Sequence, residues 1–254
     1  ECVYSIGGAQ AIAAFALGTE SIPKVQKIIG PGNQFVAEAK RQLYGEVGID
    51  SIAGPSELTV VADSRSDPIT ISWDLMAQAE HDEMASSILV STSQELINEV
   101  KSLIKKEVPL LSRSNIIQKS LRNRGVVILA EDTEQAISLV NQIAPEHVHI
   151  VTENPLKDSR SIINAGLILS GKDSANALSD YVLGPSHILP TNGSSVFSSP
   201  LSVEDFIVHS SFINLGESSK LQEYDELVKN TSILARAEGL TAHAISAEIR
   251  KKKD

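Results

Sequence analysis

The chain is expected to be an α/β protein built on largely parallel sheets. Two observations lead there. Short β-branched runs and amphipathic or Ala-rich helical stretches alternate almost from the first residue. That rhythm then stops near residue 170 and gives way to loops and helices. The strand-like runs are 3–6, 25–29, 58–61, 88–91, 126–129, 148–151 and 167–169. Each is short, apolar and rich in Val, Ile or Leu, as strands covered on both faces tend to be. The helical stretches between them are 9–17, 34–43, 67–82, 94–106, 133–142 and 155–163. Residues 171–200 are rich in Ser, Gly and Pro and read as long irregular loops, which in α/β proteins often carry function. Two helical stretches follow, 217–238 and 242–252, with no strong strand between them. This tail is expected to pack against something outside itself.

Composition narrows the function. The 254 residues suit one large domain or two modest ones. The sequence opens on Glu1 and runs straight into strand-like residues, so it reads as a piece of a longer protein. Against 22 basic residues stand 32 acidic ones, a net charge of −10 that disfavours a grip on phosphate backbones, so no nucleic-acid partner is expected. No apolar run approaches a membrane span. Cys2 is the single cysteine, which rules out an internal disulfide and a thiolate metal cluster. The sequons at Asn192 and Asn230 carry no weight without a secretory signal. A cytoplasmic protein is expected.

Four polar constellations are candidates for chemistry. In D-L-M-A-Q-A-E-H-D, Gln78 and His81 share a helix face and offer an oxygen and an imidazole donor; a helix-end histidine among carboxylates is the plainer reading. In A-P-E-H-V-H-I, Pro145 ends a helix and sets Glu146 and His147 at the mouth of a strand. Strand alternation puts His147 and His149 on one face and Glu146 on the other, yet at a strand mouth both Glu146 and His147 can reach one pocket. Histidine suits proton transfer near neutrality and a carboxylate can activate water, although a capping Glu and a satisfied core His fit equally well. Asp180, Tyr181 and His187 crowd the loop S-D-Y-V-L-G-P-S-H-I-L-P-T, where such residues often only make turns. In A-R-A-E-G-L-T-A-H, Gly239 is expected to end one helix and Thr241 to cap the next, setting Glu238 and His243 across one turn. Two glycine stretches, S-I-G-G-A-Q-A and I-G-P-G-N-Q-F, each sit between a strand-like run and a helix, where backbone amides can meet a phosphate.

The order of these motifs is more informative than any one of them. G-G-A-Q-A-I-A-A, G-P-G-N-Q-F-V-A-E-A-K, G-I-D-S-I-A-G-P-S-E, Q-A-E-H-D, A-P-E-H-V, D-Y-V-L-G-P-S-H-I-L-P-T, S-S-P-L-S-V-E-D-F and A-E-G-L-T-A-H occur in that sequence, and together they strongly resemble the histidinol dehydrogenase family across essentially the whole chain. The resemblance implies Rossmann-like parallel-sheet domains, incomplete in this fragment, with a helical C-terminal tail. Residues 1–55 would close the NAD-side domain, 56–201 would form much of the main substrate domain, and 202–254 would swap onto the partner of a homodimer. It implies oxidation of L-histidinol to L-histidine through the aldehyde, with two NAD+ used in turn and one Zn2+ per subunit.

By the same resemblance Gln78, His81, Asp180 and His243 would hold zinc. His147 would be the general base and Glu146 the group that activates water. Ser56, Tyr181, His187 and Glu238 would touch substrate, while Gln10 and Asn33 would touch NAD. Cys2 lies outside these positions, so no thiohemiacetal step is expected. His149 and His209 are expected to be structural. Ser179 stands where many relatives place glycine; a positive φ there would strain serine by about 1 kcal/mol. A zinc hydrolase using Glu146, and a fragment that only binds zinc or dimerises, are the competing expectations.

Overall fold

The structure, a computed structural model, describes residues 2–215 and 222–250. The chain divides into two compact units, Glu1–Phe206 and Ile207–Asp254. In the first, helix α1 (Gly8–Leu17) and α2 (Gln34–Leu43) accompany a two-stranded parallel ribbon of β1 (Lys27–Ile28) and β2 (Gly48–Ile49). The main sheet follows: β3 (Glu57–Ala62), α3 (Pro68–Ala79), β4 (Ser86–Ser91), α4 (Gln94–Glu107), α5 (Ser114–Arg124), β5 (Gly125–Leu129), α6 (Thr133–Ile143), β6 (His147–Val151), α7 (Pro155–Ser159), β7 (Leu167–Ser170) and α8 (Asn176–Tyr181). Its five strands run parallel in the order β5-β4-β3-β6-β7. The chain builds outward from β3 to β5, then crosses back to lay β6 on the other side of β3.

Helices cover both faces of this sheet. Leu58, Val60 and Ala62 of β3 pack with Ile71 and Leu75 of α3 and with Leu96, Ile97 and Val100 of α4. The alternate residue Val61 joins Val90, Val148 and Ile150 against Ala136 and Val140 of α6. Period-2 alternation thus splits each central strand between two cores, and β6 is buried along its whole length. Helix starts follow local chemistry: Asp67, Ser93 and Asp132 each accept a backbone N–H of the first turn of α3, α4 and α6. No helix among the described residues is long and apolar enough to cross a membrane.

The expected elements recur with several corrections, and the short strand β2 was not among those expected. Residues 3–6 form no strand, because no neighbouring strand pairs with them; Val3 stands in the open, and β-propensity alone stabilises nothing. The stretch 155–163 is helical only over Pro155–Ser159. Helix α5 was not foreseen: it buries only Ile117 and Ser120, and Ser120 anchors it through a hydroxyl bond to the Ala85 carbonyl at 2.9 Å. Helix α8 lies inside the region expected to be irregular.

In the second unit α9 (Gln222–Ala237) and α10 (Thr241–Glu248) pack on each other. Gly239, at φ 77°, closes α9 as expected, with Leu240 N–H donating to Ala235 O and Gly239 N–H to Arg236 O. Thr241 does not cap α10; Leu240 occupies that position without a side-chain bond. Arg236 instead clamps the two helices through Glu248. Residues 217–221 and 251–252 of the expected helices lie outside the described residues.

Two tight spots yield tests. Lys40 Nζ, almost wholly buried, donates to Asp50 Oδ1 and to Gly30 O, both at 2.5 Å, while Asp50 Oδ2 accepts from Gly30 N–H. This pair holds the glycine loop before α2, and leaving one buried charge alone should be costly. Lys40→Met should lower the unfolding free energy by about 3–5 kcal/mol in urea titration. Gly166 faces the Glu146 backbone so closely that an added Cβ would stand 2.7 Å from Glu146 O. Gly166→Ala should therefore cost about 1–3 kcal/mol in the same measurement, through backbone crowding rather than φ strain.

Candidate active site

At the amino ends of β3, β6 and β7 lies a cavity of about 290 Å³. Ser56 lies just before β3, Glu146 and His147 at the start of β6, and Leu167 opens β7. Open α/β sheets usually bind ligands at the carboxyl ends of their strands, so this is the opposite edge. Helix α3 runs back along the sheet and delivers Gln78 from its last turn and His81 just beyond it. Helix α8 and the loop after it supply Ser179, Asp180, Tyr181 and His187.

The backbone of Glu57 organises the floor. Leu58 pairs in register with His147, which puts the Glu57 backbone beside the E-H step. Glu57 N–H donates to Glu146 Oε2 at 2.8 Å, and His147 Nδ1 lies 3.1 Å from Glu57 O. A carbonyl can only accept, so Nδ1 carries the hydrogen and Nε2 keeps its lone pair. Glu146 Oε2 is also 3.5 Å from His147 Nδ1. Burial by itself pushes the imidazolium down, but the hydrogen bond and charge of Glu146, with the Glu57 carbonyl and Asp180, outweigh it, so the His147 pKa is raised. Burial likewise raises the Glu57 carboxyl, against hydrogen bonds from backbone amides.

The opposite wall carries donors suited to a cation. His81 Nε2 and Asp180 Oδ2 are 3.9 Å apart. Two ligands of one tetrahedral zinc with bonds of about 2.1 Å stand roughly 3.4 Å apart, a few tenths of an ångström closer. Gln78 is buried; its Oε1 accepts from Asn176 Nδ2 at 3.4 Å, and its Nε2 has no partner. A half-turn of that amide, matched by one of the Asn176 amide so that the contact between them keeps a donor and an acceptor, puts a neutral oxygen donor at the open position. The set of imidazole, carboxylate and amide oxygen fits zinc. Among the described residues no group of three His, Cys, Asp or Glu forms a metal cluster, because one of these donors is an amide.

Of the residues singled out in sequence, Ser56, Gln78, His81, Glu146, His147, Asp180, Tyr181 and His187 line this cavity together. Gln10 and Asn33 lie outside its lining, on the first turn of α1 and at the cap of α2. Asn33 Oδ1 accepts from Phe35 and Val36 N–H, so it terminates α2 with its own side chain. The start of α1, by contrast, has only Gly7 at its cap and no side-chain bond. Glu238 and His243 are exposed in the second unit, His243 in the first turn of α10. Ser179 needs no positive φ: it sits in α8, and its buried hydroxyl donates to Asn176 O at 2.6 Å. Asn176 and the Glu57 backbone went unnoticed in sequence, the first a single polar residue in a loop-like stretch and the second carrying no side-chain signal.

Comparison with known proteins agrees along the whole chain. The family profile described as histidinol dehydrogenase matches residues 1–251. Histidinol dehydrogenase of Clostridium acetobutylicum is 52% identical over 250 residues, 98% of this chain and 57% of that protein. The Listeria monocytogenes enzyme is 46% identical over 252 residues, 99% of this chain and 58% of its own length. The crystal structure of histidinol dehydrogenase from Elizabethkingia anophelis superposes with a TM-score of 0.88 at 33% identity, covering 97% of this chain and 56% of that one. The chain thus spans little more than half the length of these relatives. It belongs to the histidinol dehydrogenase family.

Proposed function

We propose that this chain carries the proton-transfer and metal-holding side of a histidinol dehydrogenase, which oxidises L-histidinol through the aldehyde to L-histidine with two NAD+ and one Zn2+ per subunit, in the cytoplasm. The observation that supports it is the gathering of Gln78, His81, Glu146, His147 and Asp180 from separate stretches around one cavity of about 290 Å³. That volume suits a small polar substrate.

Gln78, His81 and Asp180 would hold the zinc, with His243 as the further ligand, brought by the tail of the other subunit in a homodimer. When bound, the ion supplies orientation and charge for an imidazole-bearing amino alcohol, and NAD+, met by Gln10 and Asn33, accepts the hydride. Ser56, Tyr181, His187 and Glu238 would contact the substrate. His147 Nε2 takes the hydroxyl proton as the alcohol is oxidised, because Nδ1 is committed to the Glu57 carbonyl. Glu146, with Oε2 held by the Glu57 amide, takes a proton from water so that the aldehyde is hydrated for the second oxidation. The compact tail unit leaves Leu227, Ile233 and Leu234 exposed, apolar surface that suits a swapped dimer.

With a chain completed to the length of its relatives, L-histidinol and NAD+ should give nicotinamide absorbance that a chelator abolishes and Zn2+ restores. No reduction with zinc present overturns the reading, and ester cleavage without NAD+ would replace it with a zinc hydrolase. His147→Asn should lower kcat about 10²–10⁴-fold with little change in KM. Glu146→Gln should retain the first oxidation and accumulate aldehyde, cutting the NADH formed per substrate by half. The base works when neutral, so its raised pKa sets the acid limb of kcat/KM above that of an ordinary histidine. Removing the Glu146 charge should move that limb to lower pH in a pH–rate profile of the alcohol half-reaction.

A further inference from the structure

His149 has no part in the chemistry above, yet it is among the most deeply buried polar side chains of the protein, 1% exposed in the middle of β6. Both ring nitrogens are engaged. Nε2 lies 2.9 Å from Gly171 O, and Nδ1 lies 3.1 Å from Asp74 Oδ2. The Gly171 carbonyl can only accept, so Nε2 carries a hydrogen, while Nδ1 faces the Asp74 carboxyl.

The two partners are placed where the metal-holding residues start. Asp74 lies one helical turn before Gln78 on α3 and shares its face. Gly171, at φ 90°, makes the turn after β7; its carbonyl also accepts from Ser174 N–H at 3.1 Å. From that turn the chain runs through Asn176, whose amide reaches Gln78 Oε1, to Asp180. A ring of contacts therefore closes: His149 to Asp74, one turn of α3 to Gln78, across to Asn176, and back along the turn to Gly171 and His149.

We propose that His149 is a positioning residue for the metal site, holding α3 and the α8 segment at the separation that lets Gln78, His81 and Asp180 converge. The proposal rests on the zinc reading given above. A buried polar group that served packing alone would need partners anywhere; these two sit on the two segments that bring the ligands. Partners behind metal ligands usually alter affinity about 10–100-fold when removed.

The test measures Zn2+ affinity of the full chain by chelator competition, the ligand-field absorption of its Co2+ form, and its urea unfolding midpoint. Gln78→Ala and Asp180→Ala serve as controls. A parent chain that binds no Zn2+, or binds it unaffected by both controls, overturns the zinc reading itself and this inference with it. Where the parent binds through those ligands, His149→Ala should weaken Zn2+ about 10–100-fold and change the Co2+ spectrum. His149→Asn, which can keep the contact to Asp74, and His149→Gln, which can keep the contact to Gly171, should each recover part of the loss. Parental Zn2+ affinity and Co2+ spectrum in these variants, even with a lowered unfolding midpoint, would show a purely structural histidine and overturn the proposal. Should His149→Ala fail to fold, the two amide variants and Asp74→Leu decide the question by the same readouts.

Discussion

The site depends on the backbone of one residue. At the amino end of β3, the Glu57 backbone turns its N–H to the Glu146 carboxylate and its carbonyl to the His147 ring. Neither contact is a matter of side-chain choice at position 57. Both follow from parallel pairing, which sets Leu58 opposite His147 and so puts the Glu57 backbone beside the E-H step. A slip of one residue would turn His147 and His149 to the opposite core and break the arrangement. Register is held by burial: Leu58, Val60, Val148 and Ile150 are each inaccessible to solvent, and they belong to two cores on opposite faces.

That geometry also explains why these polar side chains gather at the amino edge of the sheet. The helix that covers β3 and β4 must return antiparallel to the strands, so its last turn arrives where the strands begin. Gln78 and His81 therefore meet Glu146 and His147 without any long loop. The acidic wall then acts on the histidine: with carboxylates of Glu146 and Asp180 close by, the imidazolium is favoured despite burial. The same carboxylates suit a cation at the opposite wall, where Asp180 and His81 already stand near ligand spacing.

Much of the main sheet was legible because both faces of its central strands are covered, which writes short β-branched runs into the sequence. Helix α5 was not, since only Ile117 and Leu121 of its residues reach the core, beside a buried serine hydroxyl, too few to write a helical period. The 3–6 run failed for the converse reason: its residues have strand character but no partner strand. Among residues that line the cavity, Gln78 with His81 and Glu146 with His147 drew notice by local spacing, but only the order of the motifs weighed against the plainer readings. Asn176 drew none, because one amide in a polar stretch has no pattern, and its importance comes only from the Gln78 end it meets.

The sequence by itself determined which residue types were on hand for chemistry, the α/β alternation, and, through the order of its motifs, the family. These are local or serial properties, written in periodicity and neighbouring residues. Only the tertiary structure decided that the cavity opens at the amino edge of the strands, that the Glu57 backbone orients Glu146 and His147, and that His149 ties two distant segments together. Those follow from strand order and register, in which residues 57 and 146, or 74, 149 and 171, become neighbours through pairing that no short stretch of chain encodes.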